Sequence, residues 1–290
     1  MRKNMATPIS FPKKVAYKIA QKLLSYADAD IPVEEVNSYS QEADPFEVGR
    51  LDAIASSWFN EADQCLFKDF SIRSTDTVLD VGSGNGGVAH FCGQLCQSLI
   101  ITDIDANNAR NAYVELKKSN CELKSALISD SLPLPIADSS IDKIISMEVI
   151  EHVQDPAIFL NELYRVGKKG ARYLISAPAG ISEQLQQGIA AKEHFLPPNH
   201  IQIFNDGELE QLIINTGFTI ESVHLDGFYW TIWWLIFWCD GQPLKPPWSE
   251  LLQSWPMLWS TLMQTTKADT LRNKLNQAMP KTQIIIAIKE

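Results

Sequence analysis

The chain lacks the features that mark nucleic-acid-binding, disulfide-bonded and membrane-spanning proteins. Its 25 Lys and Arg are outnumbered by 35 Asp and Glu, and a net charge of −10 argues against a polyanionic substrate. Five cysteines occur without a C-x-x-C pair and no signal peptide is evident, so we expect a protein of the reducing cytoplasm. Its uncharged aromatic run, Gly227–Trp238, has 12 residues, and a membrane span needs about 20.

The most informative stretch is an apolar run that leads into a glycine loop. Asp80 follows Thr77–Leu79, and Gly82, Gly84 and Gly86 come next at two-residue intervals, before a helical pattern. Glycines let a backbone turn sharply and leave no Cβ between it and a ligand. The D-x-G-x-G-x-G spacing differs from the G-x-G-x-x-G fingerprint of dinucleotide-binding proteins. It indicates either a ligand site at a strand end or a tight turn of the kind found in any α/β protein.

Two further acids follow predicted strands. Asp103 comes after Leu99–Thr102 and 23 positions after Asp80, close to the spacing at which doubly wound folds place an acid on a ribose. A carboxylate suits that role because it accepts hydrogen bonds from both ribose hydroxyls. Asp105 is predicted to cap the next helix, and a third strand, Ser125–Ile128, leads to Asp130.

A fourth predicted strand, Ile141–Met147, runs into an E-x-x-E-H segment made by Glu148, Glu151 and His152. The glycine loop, the two acids and this segment all lie at the carboxyl ends of predicted strands. Open α/β sheets bind their ligands at that edge. The order of these features therefore predicts one composite site.

This order of motifs resembles the class I S-adenosylmethionine-dependent methyltransferases, over about residues 75–225 and the final strand. Met147–Pro156 and Phe195–His200 look most like the branch that contains the ubiquinone-biosynthesis O-methyltransferases. The resemblance implies S-adenosylmethionine as cofactor, S-adenosylhomocysteine as product, and a hydroxyl on a small, lipophilic or aromatic acceptor. The positions that it assigns to the cofactor, with Asp130 on the adenine amino group, are Asp80, Gly82, Gly84, Gly86, Asp103, Ile104, Asp130, Ser131 and Met147.

Strands that alternate with helices predict an α/β protein with a doubly wound sheet. A helix is expected at Pro156–Val166, and further strands at Ala171–Ser176, Phe218–Leu225 and Gln283–Ile288. The resemblance makes the sheet seven-stranded and mostly parallel, with the last strand antiparallel beside the fifth. We expect an N-terminal helical cap at 1–75, a methyltransferase core at 76–225 and 282–290, and a Trp-rich helical insert at 226–281.

Two segments outside the minimal fold are expected to choose the substrate. In the N-terminal cap, Val15–Leu24 is amphipathic, and a second helix is expected from Arg50 to Phe59. The insert holds seven of the 8 tryptophans, and helical spacing places Trp230, Trp233 and Trp234 on one face with Phe237 and Trp238. Three interpretations stay open: a lid or pocket wall over the acceptor, which we prefer, a homodimer interface, or a peripheral membrane contact.

The chemistry predicted for this edge is methyl transfer to a small-molecule acceptor, with no nucleic acid involved. His152 is the first candidate for the base that takes the acceptor proton, and His194 and His200 are alternatives. Glu148, Glu151, His152 and His200 could instead hold a divalent cation, a possibility that we do not favour. The competing hypotheses are N- or C-methyl transfer, and a partner protein that binds the cofactor without turnover.

Overall fold

The structure is a computed structural model that describes residues 43–290, and it begins with one helix and a small sheet. Helix α1 is Pro45–Ala55, and the Asp44 carboxylate caps it by accepting from the Phe46 amide. A three-stranded antiparallel sheet follows: β1 (Trp58–Asn60), β2 (Cys65–Phe67) and β3 (Phe70–Ser71).

The expected helix from Arg50 to Phe59 is therefore wrong beyond Ala55. Ser56 caps the helix, and Ser57 adopts a left-handed backbone with φ 77°, which turns the chain into β1. The helical cap predicted for 1–75 consequently contains a β-sheet. The amphipathic segment Val15–Leu24 lies outside the described residues.

A seven-stranded sheet forms the centre of the fold, as predicted. Its strands are β4 (Thr77–Val81), β5 (Ser98–Asp103), β6 (Leu123–Ile128), β7 (Ile141–Met147), β8 (Gly167–Pro178), β9 (Thr219–Asp226) and β10 (Thr282–Ile288). Their spatial order is β6-β5-β4-β7-β8-β10-β9. Strand β10 runs antiparallel between β8 and β9, and the other pairs are parallel, so the expected position of the last strand is confirmed.

Helices cover both faces of this sheet. They are α2 (Gly87–Leu95), α3 (Ala106–Lys117), α4 (Pro156–Val166), α5 (Gly180–Gln186) and α6 (Glu208–Asn215), with short 3₁₀ turns at Ile150–His152 and Lys192–Phe195. The Asp105 carboxylate caps α3 by accepting from the amides of Asn107 and Asn108, as the sequence predicted. One buried cluster lies around Phe159 on one face of the sheet, and another lies around Phe67 on the other.

Three helices form the insert between β9 and β10: α7 (Phe228–Asp240), α8 (Glu250–Leu262) and α9 (Ala268–Ala278). They attach to α1 through the buried Asp52 carboxylate. This carboxylate accepts hydrogen bonds from the Trp259 indole at 2.9 Å and the Arg272 guanidinium at 3.0 Å. Within residues 43–290, no helix combines the length and apolar character that crossing a membrane requires.

Candidate active site

Asp80 lies at the carboxyl end of β4, directly before the glycine loop. Its side chain is buried, and its Oδ2 has no hydrogen-bond partner among the residues that the structure describes. Burial, together with the negative charge of Asp103, raises the pKa of Asp80 from 3.8 to about 7. A buried carboxylate with an unused oxygen at a strand end is a suitable partner for a cationic or hydrogen-bonding ligand.

The three glycines of the loop differ in what surrounds them. A Cβ on Gly82 would collide with Val149, and a Cβ on Gly86 would come within 2.8 Å of the Ala112 backbone. Gly84, with φ +50°, has nothing within 4 Å of its Cβ position. Gly82 and Gly86 therefore allow close packing within the protein, and Gly84 leaves open space for a ligand beside the loop.

Asp103 holds this loop through its carboxylate. Oδ2 accepts from the Gly84 amide at 2.9 Å, and Oδ1 accepts from the Asp105 amide at 2.8 Å. Oδ2 keeps a further lone pair for a ligand, and Oδ1 has one long additional contact, 3.5 Å from the Asn108 side-chain amide nitrogen. Beside it, the side chain of Ile104 is 74% exposed and offers an apolar surface.

The next candidates lie after β6 and at the end of β7. Asp130 is exposed, and its Oδ1 accepts from the Leu132 amide at 3.0 Å. Ser131 is buried and has a left-handed backbone with φ 66°, and Met147 is half-buried at the end of β7. These residues occupy the carboxyl edge on either side of Asp80, because β7 lies next to β4 and β6 lies beyond β5.

Glu148 is held by residues outside the E-x-x-E-H segment. Its Oε1 accepts from the Ser176 hydroxyl at 3.1 Å and the Thr282 hydroxyl at 2.6 Å, and its Oε2 lies 3.5 Å from the Lys281 ammonium. The carboxylate is therefore held by β8 and by the start of β10. Of the four possible cation ligands in the sequence, the structure groups Glu151, His152 and His200, and Glu148 is not among them.

Glu151 and His152 lie together in the 3₁₀ turn after β7. The Glu151 carboxylate is buried without a hydrogen-bond partner among residues 43–290, and burial with the nearby Glu148 charge raises its pKa well above the usual range. Its Oε1 lies 3.7 Å from His152 Nε2. The other ring nitrogen, Nδ1, lies 3.0 Å from the Pro198 carbonyl oxygen.

The structure places His194 and His200 beside His152, and it adds Glu183, which the sequence did not indicate. The ring centroids of His152 and His200 are 5.1 Å apart, and those of His194 and His200 are 4.3 Å apart. Burial lowers the pKa of His200. Burial raises the pKa of Glu183, but the close imidazoles of His194 and His200 outweigh this effect and hold it below the usual range.

The Trp-rich helix α7 reaches this cluster through its C-terminal half. The Trp238 indole N–H donates to Gln186 Oε1 at 2.7 Å, and its ring lies 5.3 Å from that of His194. Trp230 and Trp234 are half-buried. Trp233 has no exposed surface, so it supports the other rings and offers none of its own surface to a ligand.

The comparisons with known proteins agree with this arrangement. Residues 79–175 match a family described as "Methyltransferase domain". A probable S-adenosylmethionine-dependent methyltransferase of Mycolicibacterium smegmatis is 29% identical over 145 residues, 50% of this chain and 52% of that protein. The ubiquinone biosynthesis O-methyltransferase of Pelagibacter ubique is 30% identical over 118 residues, 38% of this chain and 48% of that protein.

A solved structure extends the likeness in fold to nearly the whole chain. The crystal structure of the cyclase SpnF superimposes with a TM-score of 0.53 at 14% identity, covering 94% of this chain and 93% of that one. The chain spans about half the length of the curated relatives that it matches. Fold, site and sequence match agree: residues 79–175 form a methyltransferase domain, and the chain is similar over about half its length to S-adenosylmethionine-dependent methyltransferases.

Proposed function

We propose that this protein transfers the methyl group of S-adenosylmethionine to a hydroxyl of a small, lipophilic or aromatic acceptor. The C–S bond of the sulfonium breaks, a C–O bond forms, and the hydroxyl proton passes to a base. The main observation that supports this proposal is the close contact between Val149 and the turn at Gly82. It makes the cofactor loop and the segment that bears His152 direct neighbours, as in-line transfer requires.

His152 is suited to act as the base because of its hydrogen bond to the backbone. The Pro198 carbonyl oxygen can only accept, so Nδ1 of the neutral imidazole carries the proton. Nε2 then has a free lone pair at the edge of the site. Removing a proton in this way contributes about 10²–10⁴-fold to a rate.

The open space beside Gly84 and the carboxylates of Asp80 and Asp103 at the same edge support binding of the cofactor there. When bound, S-adenosylmethionine supplies an electrophilic methyl group. Asp103 would accept from the ribose hydroxyls with its remaining lone pairs. The adenine would lie near Ile104, whose exposed side chain offers apolar contact, and near Asp130 and Ser131.

The aromatic insert supports a lipophilic acceptor. Trp230 and Trp234 keep part of their ring surface exposed, and Trp238 is joined to the histidine cluster through Gln186. A relative named for ubiquinone biosynthesis methylates oxygen, which agrees with a hydroxyl on a lipophilic ring. N- and C-methyl transfer, and cofactor binding without turnover, remain the competing hypotheses, because this fold hosts many reactions.

A metal-assisted version of the same reaction is a second candidate, and one observation favours it. Glu151, His152 and His200 each offer a ligand atom, and these atoms lie within 4.8 Å of one another. Mixed oxygen and nitrogen ligation suits manganese or zinc. Glu148, which the sequence added to this set, is engaged by Ser176 and Thr282 instead.

The decisive experiment measures transfer of a labelled methyl group to a panel of phenolic, amine and carbon acceptors. We expect an O-methylated product, a loss of at least about 100-fold in kcat for His152→Ala, and little change for the exposed His90→Ala. Product on nitrogen or carbon would overturn the acceptor assignment, and absence of any product would favour the non-catalytic hypothesis. Activity that survives exhaustive chelation and does not rise with added magnesium, manganese or zinc would eliminate the metal.

A further inference from the structure

Glu183, on α5, is a buried carboxylate that several possible donors surround. Its side chain is 1% exposed. Oε2 lies 3.0 Å from His200 Nδ1 and 3.3 Å from His194 Nε2. Oε1 lies 3.3 Å from the Gln186 amide nitrogen and 3.9 Å from the Lys281 ammonium. Every one of these neighbours can donate a proton or carries positive charge, so the carboxylate acts as the acceptor.

The contact with Glu183 determines which neutral tautomer His200 adopts. With a carboxylate on Nδ1, that nitrogen carries the proton, and Nε2 on the far side of the ring keeps a lone pair. The ring of His152 lies next to it, with a centroid distance of 5.1 Å. Carboxylates bonded in this way to an imidazole fix its tautomer and orientation in catalytic and metal-binding sites.

The same carboxylate also connects to the Trp-rich insert. The Gln186 amide bridges Glu183 and the Trp238 indole, because its nitrogen donates to Glu183 and its oxygen accepts from Trp238. His194 packs between Trp238 and His200, with centroid distances of 5.3 Å and 4.3 Å. A movement of Trp238 would therefore change the surroundings of His200 in two ways, through Gln186 and Glu183 and through the His194 ring.

We propose that Glu183 is a positioning residue. It orients the His200 imidazole toward the acceptor, and it links that orientation to the position of the Trp238 ring. The inference rests on the methyl-transfer function proposed above. Glu183 itself touches neither the cofactor nor the reacting atoms in this role. It acts through His200, whose Nε2 faces the space shared with His152.

The test compares Glu183→Gln with Glu193→Gln, an exposed glutamate in the 3₁₀ turn that also holds His194. The first readout is nitrogen NMR of the full chain labelled at histidine, without any acceptor, with His200 assigned from a His200→Gln sample. In the parent protein we expect the Nδ1–H tautomer of His200. In Glu183→Gln the amide can donate to Nδ1, so the Nε2–H tautomer gains population.

The second readout is steady-state kinetics with the best acceptor. Glu183→Gln should lower kcat about 10–100-fold, the range typical of such partner residues, with an unchanged Kd for S-adenosylmethionine. Glu193→Gln should match the parent. Trp238→Phe, which keeps the ring but loses the indole N–H, should move the His200 resonances in the same direction by a smaller amount.

Three results would overturn the inference. An unchanged His200 tautomer in Glu183→Gln would remove the positioning role, and unchanged His200 resonances in Trp238→Phe would remove the coupling. A loss of kcat accompanied by an equal loss in Glu193→Gln would show a general effect of the segment. Failure of the parent protein to methylate any acceptor would refute the proposed function, and the NMR result would still decide how Glu183 holds His200.

Discussion

Replacing Asp80 by Asn tests the electrostatics of the cofactor edge. The folded pKa of about 7 lies above the unfolded value of 3.8, so the folded protein binds the extra proton in between. The contribution of Asp80 to the free energy of unfolding is therefore highest at low pH, and it is lost as the pH rises from 3.8 to about 7. A shift of roughly 3 units corresponds to about 4 kcal/mol at 1.36 kcal/mol per unit.

Asn keeps the shape of the side chain and cannot ionise. We therefore expect Asp80→Asn to gain up to about 4 kcal/mol over the parent between about pH 4 and pH 8. The assay is urea unfolding of both proteins without cofactor, at matched ionic strength, across this range. If the two stabilities change in parallel with pH, Asp80 does not titrate there and its buried environment has been misjudged.

Three other substitutions test the site and the insert. Asp103→Ala should weaken S-adenosylmethionine binding by about 1.5–3 kcal/mol in isothermal titration, since hydrogen bonds to a charged group are lost, and an unchanged Kd would remove Asp103 from the ribose site. Gly84→Ala should lower cofactor affinity. Both glycines have positive φ, but only a Cβ at Gly82 collides with Val149, so Gly82→Ala should lower the melting temperature more than Gly84→Ala; equal melting temperatures would contradict this difference. Trp234→Ala should raise the acceptor KM and leave the cofactor Kd unchanged, whereas a dimer interface would instead give monomers in analytical ultracentrifugation.

Much of the central fold could be predicted because its strands are buried on both faces. Ile141–Met147 and the helix Pro156–Val166 have the predicted bounds, since each is an apolar pattern between clear turn or capping residues. The strand that begins at Trp58 is not predicted, because the apolar spacing from Leu51 to Phe59 also fits a helix. The left-handed turn that ends α1 leaves no composition signal, since it lies at a serine.

The residues of the site also divide into those that the sequence predicts and those that it does not. The glycine loop, Asp103 and the two histidines could be found because each follows a strand or belongs to a motif. Glu183 could not be found, because it lies in a short helix without a motif. Its role depends on contacts with His194 and His200, which belong to a later segment of the chain. The burial of Trp233 could not be predicted either. The spacing of apolar residues shows which face of a helix they share, but it does not show what covers that face.

The insert is closed at its base by the pairing of β9 with β10. Thr282 pairs with Asp226, and the Lys281 amide donates to the Asp226 carbonyl at 2.8 Å, so about 55 residues leave and return at one point of the sheet. The entropic cost of closing such a loop grows only by about 0.6 kcal/mol for each doubling of its length. The segment between these two strands can therefore be lengthened, shortened or exchanged at little cost to the sheet. Under the proposed function, acceptor choice can diverge there while the edge built from β4 to β7 stays the same.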